Sequence, residues 1–246
     1  ELSAGPTYYG TSDEHTETNW YTNAVISYDL NGGTGTTPSN KYIVPGDTFT
    51  VASGDDIKQP NVKFYNWNTA ADGSGTSYSP NENVVVTQEM GPAVKLYAQW
   101  KPITAQIIDS NGTSAVREYI SLADAVEAYD GNGYIKMTAN TEEPGFTLGE
   151  NLYLDLNGKT VTLTSGLDTG SYKLYGMDTA TDAYDGAKAG KIVGTVSGYD
   201  KTYQTPTVTG NEGDDAYKRY VAIPGEENGK PTVSFHRFNI SVSGYR

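Results

Sequence analysis

Phe64-Tyr-Asn-Trp-Asn-Thr-Ala-Ala-Asp-Gly-Ser-Gly-Thr-Ser-Tyr78 sets an aromatic run against a glycine-broken polar turn, and Leu96-Tyr-Ala-Gln-Trp100 answers it downstream. Asp72-Gly73 and Ser74-Gly75 supply tight turns at positions where a Cβ would clash. The two aromatic runs read as strands bracketing that loop, with Phe64, Trp67, Tyr97 and Trp100 as the large bodies available to fill a small core.

The preceding residues extend the same pattern. Ala24-Val-Ile-Ser-Tyr-Asp-Leu30 alternates and runs into Asn31-Gly-Gly33, a turn signal. Lys41-Tyr-Ile-Val44 ends at Pro45-Gly46-Asp47, where proline presets φ and glycine permits a positive one. Thr48 to Val51, Val62 to Trp67, Asn83 to Val86 and Lys95 to Trp100 complete the strands. Residues 1–23 show no sustained periodicity and read as a leader or linker that adds one edge strand through Tyr8-Tyr9 or Trp20-Tyr21.

Tyr28-Asp-Leu-Asn-Gly-Gly33, Phe64-x-x-Trp67-Asn-Thr, Asp72-Gly-x-Gly-Thr76, Tyr78 and Leu96-Tyr-Ala-Gln-Trp100 together resemble the Listeria–Bacteroides repeat, a relative of the internalin B-repeats of bacterial surface proteins. The resemblance covers about residues 25–101. It implies a β-grasp-like module used outside the cell as a spacer or interaction unit, and it brings no catalytic residue. The family has glycine where Asn66 stands here, and asparagine is the substitute that best tolerates a left-handed turn.

After Lys101-Pro102 comes a strand from Ile103 and then one helix. Ser121 is placed to cap it with Asp124 at capping-box spacing, and Leu122, Ala125, Val126 and Tyr129 fall at helical intervals. Asp130-Gly-Asn-Gly133 stops it. Asn151-Leu-Tyr-Leu-Asp-Leu-Asn-Gly-Lys-Thr-Val-Thr-Leu163 puts Leu152, Leu154 and Leu156 on one face before an Asn-Gly turn. With the preceding helix, it resembles the opening coils of parallel β-helix domains of gut-bacterial surface proteins. One or two coils fit before Gly166, so completion by neighbouring residues is expected, because a solenoid needs about three stacked repeats. An α+β sandwich is the competing arrangement. The fold expected is mainly β and multi-domain: leader 1–23, a β-grasp-like repeat module 24–101, a short helix-capped β-helix-like segment 102–168, and a C-terminal all-β domain 169–246.

Composition bounds the function. The 246 residues hold 28 glycines and 20 tyrosines and no cysteine, which removes disulfides, thiolate metal sites and cysteine nucleophiles. The formal charge of −13 argues against nucleic acid and against an anionic membrane surface. No apolar run approaches the roughly 20 residues that span a bilayer. Glu1-Leu-Ser-Ala-Gly-Pro6 has no signal-peptide pattern, so the chain is expected to begin inside a longer precursor.

Asp178, Asp182 and Asp185 place three carboxylates in a glycine-flanked loop and are the candidate calcium ligands, set against an ordinary solvated acidic turn. No other cofactor is expected. Asp214-Asp215 is a weaker acidic pair, and His15 lacks a second histidine to build a site with. His236, in Ser234-Phe-His-Arg-Phe238, is the histidine on a strand, read as hydrogen-bonded in a sheet because no nucleophile-elbow motif accompanies either histidine. The function expected is a non-catalytic secreted or cell-wall protein in adhesion, display or spacing, with a host or bacterial surface protein or a glycan as partner. A carbohydrate-binding module attached to a catalytic domain is the alternative, and the oligomeric state is left open.

Overall fold

The computed structural model describes residues 8–9, 21–109, 115–183, 189–204 and 219–237. The chain is mainly β and divides into two compact units, Glu1–Lys101 and Pro102–Arg246. Among the described residues, no helix is long and apolar enough to cross a membrane.

The first unit is built on a five-stranded sheet in the order Lys41–Ile43, Ala24–Asp29, Ala93–Pro102, Val62–Asn68, Ser77–Tyr78. Its first long strand and its last lie side by side and parallel, with Val25 opposite Ala93 and Asp29 opposite Tyr97. Alternation places Ala24, Ile26 and Tyr28 on the buried face of one strand and Leu96 and Ala98 on that of the other. The same alternation turns Tyr97 outward, which corrects its expected place in the core; Tyr28 fills that place, its ring 4.8 Å from Trp67 in a T-shaped contact.

Trp67 is fully buried, and its indole N–H donates to the Ala52 carbonyl at 2.8 Å. Trp100 donates likewise to the Leu30 carbonyl at 3.0 Å, against Gly33, where a Cβ would fall 2.3 Å from the indole. Phe64 joins the two rings at 5.1 and 5.9 Å. Asn66 lies within the Val62–Asn68 strand and is not among the residues of positive φ, so the turn expected at that asparagine is absent. Tyr8–Tyr9 and Tyr21–Thr22 pair with each other as a separate antiparallel ribbon instead of extending the main sheet.

The second unit is a stack. Tyr134–Met137, Thr141–Glu143 and Phe146–Thr147 form a first turn of chain; Leu152–Asp155, Thr160–Leu163 and Leu167–Asp168 form a second; Leu174–Met177 and Lys191–Val193 begin a third. Successive turns pair in parallel register on each side: Ile135 with Leu154, Leu154 with Gly176, Val161 with Thr141 and with Ile192, Phe146 with Leu167. Val196 continues the third side by bridging Leu167.

Leu152, Leu154, Leu156, Val161, Leu163, Leu167, Leu174 and Ile192 meet inside the stack. Both ends are covered. Ala105–Ile108 pairs antiparallel with Tyr134–Met137, and the helix Leu122–Glu127 buries Leu122 and Ala125 over the first turn. At the other end, the hairpin Arg219–Glu227/Lys230–Arg237 pairs Val233 with Ile192 and inserts Phe235. Its two-residue turn, Asn228-Gly229, has positive φ at both positions, the geometry that matches strand twist. One hydrophobic cluster runs from Ala105 to Phe235, so it passes without interruption through the boundary drawn at residues 168 and 169 from sequence.

Candidate functional site

The sequence directs attention to Asp178. It follows the third-turn strand Leu174–Met177 and is fully buried. Its Oδ1 accepts the backbone N–H groups of Gly158 at 2.8 Å and Ala180 at 3.1 Å, and its Oδ2 accepts that of Gly190 at 2.5 Å. The carboxylate thus joins the Asn157-Gly158 turn of the second stack turn to both sides of the third. Burial pushes its pKa up, and the three N–H groups and the neighbouring His236 oppose that shift. The Asp182 side chain and Asp185 lie outside the described residues, as do His15 and the pair Asp214-Asp215. Among the described residues, no three His, Asp or Glu side chains gather as a metal site.

A second buried acid stands beside it that the sequence reading did not single out. Asp155 is fully buried; its Oδ1 accepts from the N–H groups of Asn157 and Thr179, both at 2.9 Å, and its Oδ2 from the Thr179 hydroxyl at 2.8 Å. Burial raises its pKa too, against the Thr179 and Asn157 bonds and the charge of Lys136, the residue next to it in the stack. Asn157, in the left-handed region at φ 47°, donates its amide to the Met137 carbonyl at 2.9 Å. One polar network therefore links all three turns of the stack. The readable signal was a lone acid in an apolar alternating run, two residues before the Asn157 of Asn-Gly.

Glu143 is the third buried carboxylate, accepting at its two oxygens from the N–H groups of Leu122 at 2.7 Å and Ala123 at 2.8 Å. Ser121 completes the helix start as expected, its hydroxyl accepting from Asp124 N–H at 3.0 Å. His236 has its Nε2 3.1 Å from the Ser234 hydroxyl two residues earlier on the same strand face. That is a serine–histidine contact, but acyl transfer also needs an orienting acceptor and oxyanion donors. The nearby carboxylate, Asp178, has its oxygens directed at backbone N–H groups.

Two grooves lined by described residues open on the second unit. One, of about 630 Å³, crosses the outer side of Thr160–Leu163 and Lys191–Val193 under the Asn228-Gly229 hairpin tip, with Asn140, Thr160, Thr162, Asn228 and Lys230 in its wall and the Lys191–Glu227 ion pair at 2.5 Å. The other, of about 470 Å³, lies between the helix Leu122–Glu127 and the segment Phe146–Leu152. On the first unit, the outer sheet face carries Tyr42 and Tyr65, exposed, with the Lys101 ammonium 3.4 Å from the Tyr65 ring centre.

No family model, curated protein or solved structure matches the chain.

Proposed function

We propose that the chain is a non-catalytic part of a secreted or cell-wall-displayed bacterial protein that works in adhesion, display or spacing. The observation that carries this reading is where the three buried carboxylates of the described residues, Glu143, Asp155 and Asp178, direct their oxygens: to the chain's own N–H and hydroxyl groups. A general base or nucleophile keeps a lone pair for substrate; here these groups hold turns in register. The net charge of −13 with no cysteine fits an exported surface.

The finer fold reading belongs to the same proposal. Residues 24–101 form a β-grasp-like module of the Listeria–Bacteroides repeat type, supported by the parallel central pair and by the packing of Tyr28, Trp67 and Trp100 from the motif. Residues 102–168 form a helix-capped β-helix-like segment, supported by the parallel register of its turns, with a third turn supplied by the C-terminal β region. The polar groove under the Asn228-Gly229 tip favours one alternative, a carbohydrate-binding module, since hydroxyl, amide and ammonium groups converge there.

The test is a binding screen of the purified 246-residue chain against a glycan array and against extracellular-matrix and bacterial-surface proteins. Protein binding with silence on glycans supports adhesion. A defined sugar whose binding is lost in Asn228→Ala/Lys230→Ala selects the carbohydrate reading. Turnover of any polysaccharide overturns both.

A further inference from the structure

The stack is covered unevenly at its helix end. Ala105–Ile108 pairs along Tyr134–Met137, and Glu143 ties the helix start to the second side. On the third side, among the described residues, Phe146–Thr147 pairs only downward, with Leu167–Asp168, and forms one edge of a two-stranded sheet. Leu148 N–H donates to the Asp168 carbonyl at 2.9 Å. By strand alternation, the N–H and C=O of Thr147 therefore point to the opposite edge, which has no strand partner among the described residues. The 470 Å³ groove lies along that edge, between it and the helix.

Its lining has two parts. Val126, Tyr129, Phe146, Leu148 and Leu152 give an apolar floor, while Asp124, Glu127 and Glu150 contribute carboxylates and the lining contains no lysine, arginine or histidine. From this geometry we infer that the groove is a strand-addition site for an extended basic segment of a protein partner, one alternating cationic and aliphatic residues. Its main chain pairs with Thr147, its aliphatic side chains enter the floor, and its lysines or arginines meet Asp124, Glu127 and Glu150. Main-chain pairing supplies the binding mode, and the alternating side chains supply selectivity. Three carboxylates with no cation among them select against an acidic segment through like-charge repulsion.

This deepens the adhesion reading by naming a place and a partner chemistry. The probe is an acetylated, amidated peptide of alternating lysine and valine, about eight residues long, titrated into the isotope-labelled full chain. The expected result is saturable amide shifts confined to residues 146–150 and 122–129. Alternating glutamate and valine should give none. Methylating the backbone nitrogens on one edge of the basic peptide, which leaves its charge unchanged, should abolish binding. Glu127→Lys/Glu150→Lys should weaken it roughly tenfold. Thr147→Pro removes the edge donor without removing the Leu148 bond to Asp168, and should weaken binding while the remaining spectrum stays folded.

Equal binding by the methylated peptide would reduce the site to unspecific charge attraction and overturn the inference. Shifts elsewhere on the chain, or concentration-dependent dimerisation that shifts the groove amides without peptide, would overturn it as well. Failure here leaves the adhesion reading to the binding screen, whereas polysaccharide turnover would end that reading without bearing on the groove.

Discussion

Phe235 lies directly against Gly176: a Cβ built on that glycine would stand 2.2 Å from the ring. Gly176 has no positive φ, so the position requires space and not a left-handed backbone. It pairs with Leu154 in the stack, and the missing side chain leaves the interior room that the hairpin fills with Phe235, 1% exposed. Gly176→Ala should therefore destabilise the second unit by about 1–3 kcal/mol, as overpacking does. Phe235→Leu removes the clash along with some burial, so the double variant should cost less than the sum of the singles. Urea denaturation of the four proteins measures this, and a neutral Gly176→Ala would show that the contact relaxes freely.

Asn68 organises the loop that bears the motif glycines. It is fully buried; its amide donates to Gly73 O, Gly75 O and Ser77 Oγ at 3.0–3.1 Å, and its Oδ1 accepts from the N–H groups of Ala70 at 2.8 Å and Gly75 at 3.0 Å. Asn68→Ala strands both donors and the carbonyls, at a cost of about 2–4 kcal/mol for several buried unpaired groups. Asn68→Asp keeps the acceptor and loses the donors, so Ala70 and Gly75 N–H should stay slow to exchange in it and become fast in Asn68→Ala. Equal exchange in the two variants would mean that the loop is held by its glycine turns alone.

Asp155 and Asp178 make stability depend on pH with a definite sign. Burial raises both folded pKa values above the ordinary 3.8. At a pH below 3.8 both states are protonated and the full contribution is present; as pH rises, the unfolded chain ionises first, and stability falls until the folded carboxylates have also ionised. Asp29 and Asp72 act oppositely: Lys95 beside Asp29 and the Ser74 bonds to Asp72 lower their pKa, so that contribution is lost on acidification. Asp155→Asn isolates one group. Its stability relative to the parent chain should improve as pH climbs from 3.8 through the raised folded value and then level off. A constant difference across that window would show that Asp155 keeps its unfolded pKa in the fold.

What the sequence shows depends on how local its cause is. The Trp67 and Trp100 core, the Ser121 cap and the Leu152/Leu154/Leu156 face were legible because each rests on alternation or spacing within a few residues. The place of Tyr97 was misjudged although Leu96, Ala98 and Trp100 already fix its outward side. The roles of Asp155 and Glu143 were not legible, since each depends on chain that returns from elsewhere in the fold, whereas the partners of Asn68 lie at residues 70–77, within its own loop. Gly166 marks in the sequence only the point before which one or two coils fit. In the fold it is an inter-turn corner at φ 81°, with Gly145 packed on its carbonyl and its own missing Cβ leaving room for Thr195. Asp178 shows the same limit from the other side: a glycine-flanked acid suits a cation or backbone N–H groups equally well, and only the positions of Gly158 and Gly190 reveal which it meets.

The helix Leu122–Glu127 is six residues long, too short to persist without support, so its start should be the most sensitive point of the helix-end cover. Two side chains serve the N–H groups there. The Ser121 hydroxyl takes one, and Ser121→Ala should cost about 1 kcal/mol. Glu143 takes two and also accepts from the Thr141 hydroxyl at 2.9 Å. Glu143→Gln is nearly isosteric, yet it turns one acceptor into an NH₂ facing backbone N–H, so a cost of about 2–3 kcal/mol is expected, more than that of Ser121→Ala. Denaturation ranks the two, and amide exchange at Ala128 and Tyr129 localises the effect to the helix. If Glu143→Gln proves the milder change, the burial of Leu122, Ala125 and Tyr129 holds the helix, and the carboxylate merely occupies its end.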